Sequence, residues 1–451
     1  MLLPCYCGFW QRWYNPPPIQ KQMVKVSMIR VFFTSFGFLC LMGSQLFAST
    51  PDLYGMSSRA SATAGLVTLT QPDPSFAYQN PALLSHATRS KLHVGFMNAT
   101  DFFKPIRGII TRDGGKGDVI TDYPNLSGIS VGFIVPVKKF LPQLAFGTAG
   151  FFPFGSLVKM ETFENTEPVY ANYYNRPKRF AWITGLSCEP FEHFFLGAAA
   201  NLYLTSGANT RVNLNTENSS VLVAMDIKPA ISPILGAQYE KHDWSFDLAY
   251  HGTVDYALSI QNESDVSIGR ANSNDIAVPV RFLAKTSMFY DPRMVSFGIS
   301  HLIRHWFQIG VQGIWKNWKA YKMPINRITY VNIGDYKAKM PDIKFRDVVS
   351  PALGIEFPLR SLLLRAGYRY EPQHLDTQED NSNWLDTDAH IVSTGVGYAF
   401  GSFNIDLHVQ WHQLIAKMIS KADPTAMGYK AGGYDMGGSL LNYGLTLGTT
   451  F

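Results

Sequence analysis

Apolar side chains recur at every second position along most of this chain, in segments that polar links separate. The clearest segment starts at Phe403, with apolar residues at positions 403, 405, 407, 409 and 411 and polar residues between them. Successive side chains of a β-strand point to opposite faces, so this period predicts strands with one apolar and one polar face. Similar segments begin near residues 91, 127, 143, 179, 194, 221, 244, 277, 295, 305, 349, 361, 392 and 440. The chain is therefore predicted to be all-β.

The length of these segments and the composition favour strands that cross a membrane. Most segments have about the 9–11 residues that a tilted strand needs to span a bilayer. Charged residues make up 16% of the chain, which is low against about a quarter in soluble proteins. Residues after position 50 contain no apolar run of roughly 18 residues, which argues against membrane helices. A transmembrane antiparallel β-barrel of about 14 strands is expected, although a soluble sandwich or propeller would alternate as well.

The links between the segments differ in length. Two short links, 291–293 and 400–402, are predicted to be periplasmic turns. The long links are predicted to be extracellular loops, and they fall near residues 100–126, 157–178, 206–219, 255–275, 319–346, 372–389 and 412–439. The last of them is partly amphipathic and is placed at the barrel mouth or in a short helix.

The first 48 residues differ from the rest of the chain. They hold four basic residues and no acidic one, so the net charge of +5 becomes +5 − 4 = +1 for the remainder. That value gives no support for a nucleic-acid partner. Lys25 and Arg30 precede an apolar run of twelve residues, 31–42, and a polar stretch that ends in Ala48. This order predicts a secretory signal peptide over residues 1–48, with 1–22 as an upstream extension; a retained anchor is the alternative.

The last alternating segment ends at the last residue of the sequence. Tyr443, Leu445, Leu447 and Phe451 lie on one face of it. A terminal aromatic residue on such a strand is the usual signal for membrane insertion, so the barrel-assembly machinery is an expected partner. Backbone N–H and C=O groups in lipid must be paired, so this strand should pair with the one near residue 91. A soluble strand that ends in phenylalanine by chance is the alternative.

Residues 49–90 do not alternate. Positions 54–65 are rich in small residues, and Pro81 disfavours a helical conformation at Asn80, which predicts a turn there. A compact segment with few charges in front of a barrel fits inside it as a plug. Residues 49–90 are therefore predicted to be an N-terminal hatch in the lumen and residues 91–451 the barrel, with a periplasmic tail as the alternative.

Several motifs occur in the order found in the FadL family of outer-membrane transporters. They are the small-residue stretch that holds Arg59 and Gly65, Asn80-Pro81-Ala82 about twenty residues later, and residues 315–318, 364–372 and 388–398. On these motifs the chain resembles that family over residues 50–451. It departs from the family pattern at Pro72-Asp73-Pro74, where many members carry an acidic pair.

The resemblance implies a monomeric barrel of fourteen strands in the bacterial outer membrane, surrounded by lipid and lipopolysaccharide. Such proteins passively take up long-chain fatty acids or other hydrophobic compounds. A lumenal pocket binds the solute, and a shift of the hatch opens a lateral exit through the wall. In this chain Asn80, Pro81 and Ala82 correspond to the gating motif, and Arg59 and Gly65 to the hatch.

An acidic solute would need a lumenal cation to meet its head group. Alternation makes five residues candidates: Arg59, Arg281, Lys285, Arg365 and Arg369. Pairing with a lumenal Asp or Glu is the alternative for each of them.

No motif indicates an enzyme, and neither a metal site nor a cofactor is predicted, because the eleven histidines are scattered and no catalytic signature is placed to act. Two other functions compete with transport. A surface barrel with a closed hatch could serve adhesion, recognition or structure. An aqueous porin fits less well with a compact plug.

Overall fold

The computed structural model describes the chain from residue 50 to residue 451 with several gaps. The described residues are 50–66, 72–110, 116–119, 121, 123, 125–137, 144–155, 168–174, 179–214, 220–270, 273–304, 306–321, 327–330, 344–376, 385–419 and 433–451. The predicted signal peptide lies outside them, as do the side chains of residues 256–289.

Strands make up most of the described chain, as the alternation predicts. In chain order they are β1 Lys91–Phe103, β2 Ile106–Ile110, β3 Lys116–Val119, β4 Leu126–Pro136, β5 Ala145–Pro153, β6 Ala181–Phe191, β7 Phe194–Leu214, β8 Ser220–Lys241, β9 Trp244–His251, β10 Val254–Arg270, β11 Ser273–Asp291, β12 Met294–Ile303, β13 Phe307–Lys316, β14 Arg327–Tyr330, β15 Val348–Leu359, β16 Leu362–Glu371, β17 Ala389–Phe400, β18 Phe403–Ile419 and β19 Tyr434–Thr450.

Fourteen of these strands form a closed antiparallel wall. The order around it is β1-β4-β5-β6-β7-β8-β9-β12-β13-β15-β16-β17-β18-β19. The last strand, β19, then pairs with β1, from Lys91 opposite Thr450 to Phe103 opposite Gly438. The predicted fourteen-strand barrel, closed between the strand near residue 91 and the last strand, is confirmed.

The hairpin β10–β11 is not part of this wall. Strand β9 pairs directly with β12, so the hairpin between them is an insertion, and β10 runs parallel to the far part of β7. The alternating segment near residue 277 therefore belongs to an added hairpin, not to a membrane-crossing strand. Because a hairpin consists of two antiparallel strands, the chain leaves the hairpin at the same end of the barrel at which it entered.

That return explains one wrong prediction. The link 291–293 joins β11 to Met294, which pairs with His251 at the end of the barrel that carries the long links. The turn 400–402 lies at the opposite end, beside Ser90 and Phe451, whose backbones form a hydrogen bond of 2.9 Å. Of the two predicted periplasmic turns, 400–402 therefore lies at the short-turn end of the barrel and 291–293 does not. The amphipathic part of the last long link, up to Ile419, extends β18 and forms no helix.

The two faces of the wall have opposite character. On β18, Leu407 and Val409 are each 46% exposed on the outside, whereas Asp406, His408 and Gln410 are buried inside. On β19, Tyr443 and Leu447 likewise face outward, with Asn442 and Thr446 buried on the other face. Apolar residues outside and polar residues inside are what a barrel needs when lipid surrounds it.

The segment before the wall lies inside the barrel. It contains the helices α1 Thr50–Leu53, α2 Ser58–Ala62 and α3 Phe76–Gln79 and the 3-10 helix Pro81–His86, and nearly all of their residues are buried. Helix α2 packs on β17 and β18, and the 3-10 helix packs on β6, β7 and β8. None of the helices in the described residues is long and apolar enough to cross a membrane. This enclosed segment is called the hatch below.

The outward face of β18 allows a test of the membrane-facing surface. Leu407→Arg should destabilise the folded barrel by about 2–4 kcal/mol, because a charge near the middle of the bilayer loses its hydration. Leu407→Met is the matched control and should have little effect. The free energy of unfolding in lipid vesicles, measured by urea titration, gives the result, and equal stability of the two variants would contradict the assigned orientation.

Candidate functional site

The turn Asn80-Pro81-Ala82, called the hatch turn below, begins the 3-10 helix. Asn80 has an extended backbone, with φ −155° and ψ 100°, as expected for a residue before proline. Its side-chain oxygen accepts a hydrogen bond of 3.1 Å from the backbone N–H of Ala82 and so caps the helix. Both features come from residues within the turn itself.

Two wall glycines let the hatch turn lie directly on the backbone of the barrel. Gly197 in β7 and Gly236 in β8 are opposite each other in the ladder. A Cβ atom at Gly197 would collide with the backbone of Pro81 and Ala82, and one at Gly236 would collide with the side-chain oxygen of Asn80. This pair, called the glycine pair below, lies near the short-turn end of the barrel and leaves no wall side chain at these two positions under the hatch turn.

The hatch turn makes few polar contacts with the wall, and the group that it contributes to them, the Asn80 amide, carries no charge. Asn80 Nδ2 donates to Asp247 Oδ1 and to the carbonyl oxygen of Ala237, both at 3.3 Å. At the end of the 3-10 helix, the ring of His86 contacts Gln238 Oε1 and lies 4.2 Å, centroid to centroid, from that of Phe195. The two hydrogen bonds of Asn80 are long, so they hold the hatch turn less firmly than short, charge-assisted ones would.

The first part of the hatch is held by charged groups instead. In α1, Asp52 lies 3.3 Å from the ammonium of Lys316, which also binds Glu371 at 2.8 Å. In α2, Arg59 lies 3.7 Å from Asp406. The backbone N–H of Ser58 donates to the hydroxyl of Thr446 at 2.9 Å. These contacts tie the beginning of the hatch to strands on the other side of the barrel from the glycine pair.

Arg365 and Arg369, which were predicted to meet an acidic head group, are paired with acids of the protein. Arg365 is fully buried and lies 2.7 Å from Glu356 and 2.6 Å from Asp406. Arg369 lies 3.7 Å from Glu371. Its guanidinium also donates to three hatch carbonyls, at distances of 3.3 to 3.5 Å: those of Asp52, Leu53 and Ala64. The structure thus favours the alternative of pairing within the protein for both residues.

The other predicted residues fall in three places. Arg59 is paired within the hatch contacts above. Gly65 has φ +85°, a value that favours glycine, and a Cβ there would lie 3.3 Å from a guanidinium nitrogen of Arg369. Arg281 and Lys285 are in the added hairpin, and their side chains lie outside the described residues.

Sequence reasoning missed Asp52, Lys316 and Asp247. Each is unremarkable in its local sequence, and its role comes from the partner that the closed barrel brings to it. The register of the wall strands decides such contacts, and alternation gives only the face of each residue, so no local signal identified them.

Aromatic clusters occupy the end of the barrel that carries the long links. Phe103 stacks on Tyr170 at 4.5 Å, and the hydroxyl of Tyr170 accepts a hydrogen bond of 2.8 Å from the N–H of Gly437. Burial raises the pKa of Tyr170 to about 12. A second cluster groups Tyr290, Trp318, Tyr321, Phe345, Val348 and Leu375. The residues of both clusters are buried, so their rings pack against one another at this end of the barrel.

His374 joins the second cluster to buried acids. Its ring lies 4.4 Å from Trp318, and its two nitrogens lie 3.2 Å from Glu371 and 3.5 Å from Asp386. Burial disfavours the charged imidazole, but the charge of Asp386 and the hydrogen bonds to Asp386 and Glu371 outweigh it and raise the pKa of His374. The ion pairs of His374 with Glu371 and Asp386 thus stabilise the barrel mouth next to the aromatic rings.

Comparison with known proteins identifies the family. Residues 188–451, more than half of the chain, match the model of the outer membrane protein transport protein family (OMPP1/FadL/TodX). The chain belongs to this family. It is an outer-membrane β-barrel protein of the FadL/TodX type, as the motifs of its sequence predict.

Individual relatives are distant in sequence. Alkane uptake protein A of Marinobacter nauticus is 24% identical over 396 residues, which cover 80% of this chain and 83% of that protein. A FadL homologue from Pseudomonas aeruginosa shares the fold with a TM-score of 0.59 and 15% identity, covering 88% of this chain and 98% of that one. The toluene transporter TodX from P. putida gives a TM-score of 0.55 and 14% identity, over 89% and 99% of the two chains.

The glycine pair predicts a specific effect of an added methyl group. Gly236→Ala should push the hatch turn off the wall, because the new Cβ overlaps Asn80, and should lower stability by about 1–3 kcal/mol. Gly313→Ala in β13 is the matched control, since a Cβ there meets only Val349, at 4.0 Å. Influx of a hydrophobic fluorescent dye and unfolding in urea should separate the two. Identical behaviour would show that the turn does not depend on the glycine.

The ion pair of His374 predicts a pH dependence of stability. The pKa of His374 is raised above its ordinary value of 6.5 in the folded state. Its stabilising contribution is therefore complete below pH 6.5 and is lost as the pH rises through the higher folded pKa. His374→Gln should be less stable than the wild type below pH 6.5, and the difference should shrink above it. Urea titrations of both proteins across this range provide the check, and a difference that grows with pH would reverse the assignment.

Proposed function

We propose that this protein takes up hydrophobic compounds passively across the outer membrane. The solute enters at the aromatic mouth, binds in the lumen and leaves sideways through the wall beside the hatch turn. The observation that carries this proposal is the direct contact between Asn80-Pro81-Ala82 and the glycine pair. A turn that lies on two wall glycines can expose a route when it withdraws, whereas interlocked side chains at these positions would have to be repacked.

We also propose a role for each part of the chain. Residues 1–48 act as a signal peptide, with 1–22 as an upstream extension, residues 49–90 as the hatch and residues 91–451 as the barrel. The protein works as a monomer, is inserted by the barrel-assembly machinery through Tyr443, Leu445, Leu447 and Phe451, contacts lipopolysaccharide, and has no enzymatic activity. The names of two relatives, an alkane uptake protein and a toluene transporter, support hydrophobic solutes.

The energetics of such uptake need no coupled energy source. Burial of apolar surface supplies roughly 0.8 kcal/mol for each methylene group, so transfer of a chain of moderate length from water into the membrane is favourable overall. The protein has only to offer a continuous path past the polar surface of the outer leaflet.

Helices α1 and α2 are attached to the wall more strongly than the hatch turn is. Helices α1 and α2 are held by ion pairs and charge-assisted hydrogen bonds through Asp52 and Arg59. The hatch turn is held mainly by two hydrogen bonds of 3.3 Å from Asn80. We therefore expect the turn to move while α2 stays in place.

A barrel with a permanently closed hatch is the second candidate. It is favoured by the complete pairing of the wall, in which every two neighbouring strands among the described residues share a ladder. Such a barrel would serve adhesion, recognition or structure, and its hatch would act only as a plug.

Uptake measurements separate the two candidates. Labelled hexadecane should enter a strain that carries this protein several times faster than a strain that lacks it, with the Gly313→Ala barrel as a complementing control. Equal uptake by the two strains, with normal amounts of heat-modifiable folded barrel in the outer membrane, would refute the transport proposal and favour the closed barrel.

A further inference from the structure

The part of the hatch that carries the hatch turn begins and ends at the same point of the wall. Lys91, the first residue of β1, donates a hydrogen bond of 3.0 Å from its ammonium to the carbonyl oxygen of Pro72. Two residues further along the strand, Nδ1 of His93 lies 3.6 Å from a carboxylate oxygen of Asp73. Residues 74–90 therefore form a loop whose two ends meet. This loop is called the hatch loop below, and the four residues that join its ends are called the base contact.

Both sides of the base contact are held in place. On the wall, the backbone of Lys91 pairs with β4 and with Thr450 of β19, so it lies within the closed ladder. On the hatch side, the rings of Pro72 and Pro74 fix the φ angles before and after the acid, which stiffens the chain. Pro74 also lies directly on the wall, because a Cβ atom at Gly132 in β4 would be 2.6 Å from the Cβ atom of the proline. The base contact thus joins a stiff segment to a fixed strand.

Charge makes the base contact stronger than the contact of the hatch turn. Asp73 is buried, and the positive charges of Lys91 on the wall and Arg59 in α2 act on it. Its Oδ1 also accepts a hydrogen bond of 2.8 Å from the backbone N–H of Ser75, just before α3. By contrast, Asn80 offers the wall an uncharged amide and two hydrogen bonds of 3.3 Å. The middle of the hatch loop can therefore separate from the wall before its ends do.

We infer that the base contact is the fixed end of the gate, and that Lys91 and His93 position the hatch turn on the glycine pair. This inference rests on the proposed function and adds to it the unit that moves, the hatch loop, and the residues that hold it. A loop fastened at both ends can withdraw its middle from the wall, but it cannot leave the lumen. The hatch turn therefore returns to the same two glycines after a solute has passed. Pro72-Asp73-Pro74, where the sequence departs from the family pattern, is the anchor of this loop.

Two engineered disulfides test which part of the hatch moves. In a chain with Cys188→Ser, Asp73→Cys with His93→Cys ties the base contact, and Asn80→Cys with Asp247→Cys ties the hatch turn to the wall. Uptake of labelled hexadecane is measured before and after oxidation, relative to a strain without the barrel, and loss of free thiol verifies each disulfide. Oxidation should leave uptake unchanged in the first pair and abolish it in the second, and reduction should restore it. Loss of uptake in the first pair, or full uptake in the second, would overturn the inference and leave transport itself intact. Absence of protein-dependent uptake in the wild type would instead refute the proposed function.

Substitution of Lys91 tests its positioning role and decides the question where a disulfide does not form. Ala82→Cys in the chain with Cys188→Ser reports whether the hatch turn is seated, because Ala82 is completely buried. Lys91→Met removes the ammonium and should raise the rate of maleimide labelling at position 82 several-fold without any solute, whereas Lys91→Arg should keep the wild-type rate. Thr446→Val is the matched control, since it removes the hydrogen bond between the wall and Ser58 of α2 and should leave the labelling rate unchanged. A folded Lys91→Met barrel that is labelled at the wild-type rate, or no faster than Thr446→Val, would overturn the inference.

Discussion

The backbone of a membrane barrel has to satisfy its own hydrogen bonds, because lipid offers no partner to N–H and C=O groups. In this protein fourteen strands meet that requirement, and the ring closes where β19 pairs with β1 along thirteen residue pairs. Closure creates an interior that is cut off from both lipid and bulk water. The polar inner face of the wall and the buried charges of the hatch are consequences of that enclosure.

The enclosed charges then determine how the hatch is attached. A buried ion costs several kcal/mol unless it is paired, so each buried cation draws a carboxylate to it. Lys316 and Arg369 on the wall find such partners at Glu371 and in α1, and this fixes the beginning of the hatch. The hatch turn has no ion pair and instead lies against the glycine pair. One short segment therefore combines a rigid attachment with a contact that can separate at low cost.

Much of this architecture follows from the sequence, and the exceptions have clear physical causes. Alternation around Leu407 and Tyr443 gives both the strands and their outward faces, because lipid selects apolar residues at every second position. It cannot tell the hairpin β10–β11 from a pair of wall strands, since a hairpin outside the membrane alternates too. The ion pair between Asp52 and Lys316 joins residues far apart in the chain, and only the register of the closed wall brings them together. The hatch turn was predictable because Asn80-Pro81 encodes its own conformation.

Transport by the proposed route requires the hatch turn to move during uptake while α2 stays attached. Cysteine labelling tests it directly in a chain with Cys188→Ser, which removes the only cysteine after residue 48. Ala82→Cys reports on the hatch turn and Ala62→Cys on α2, and both positions are completely buried. Addition of hexadecane should raise the rate of maleimide labelling at position 82 several-fold and leave position 62 unreactive. Uptake of hexadecane with no change in labelling at position 82, or with equal labelling at both positions, would contradict this movement of the hatch turn.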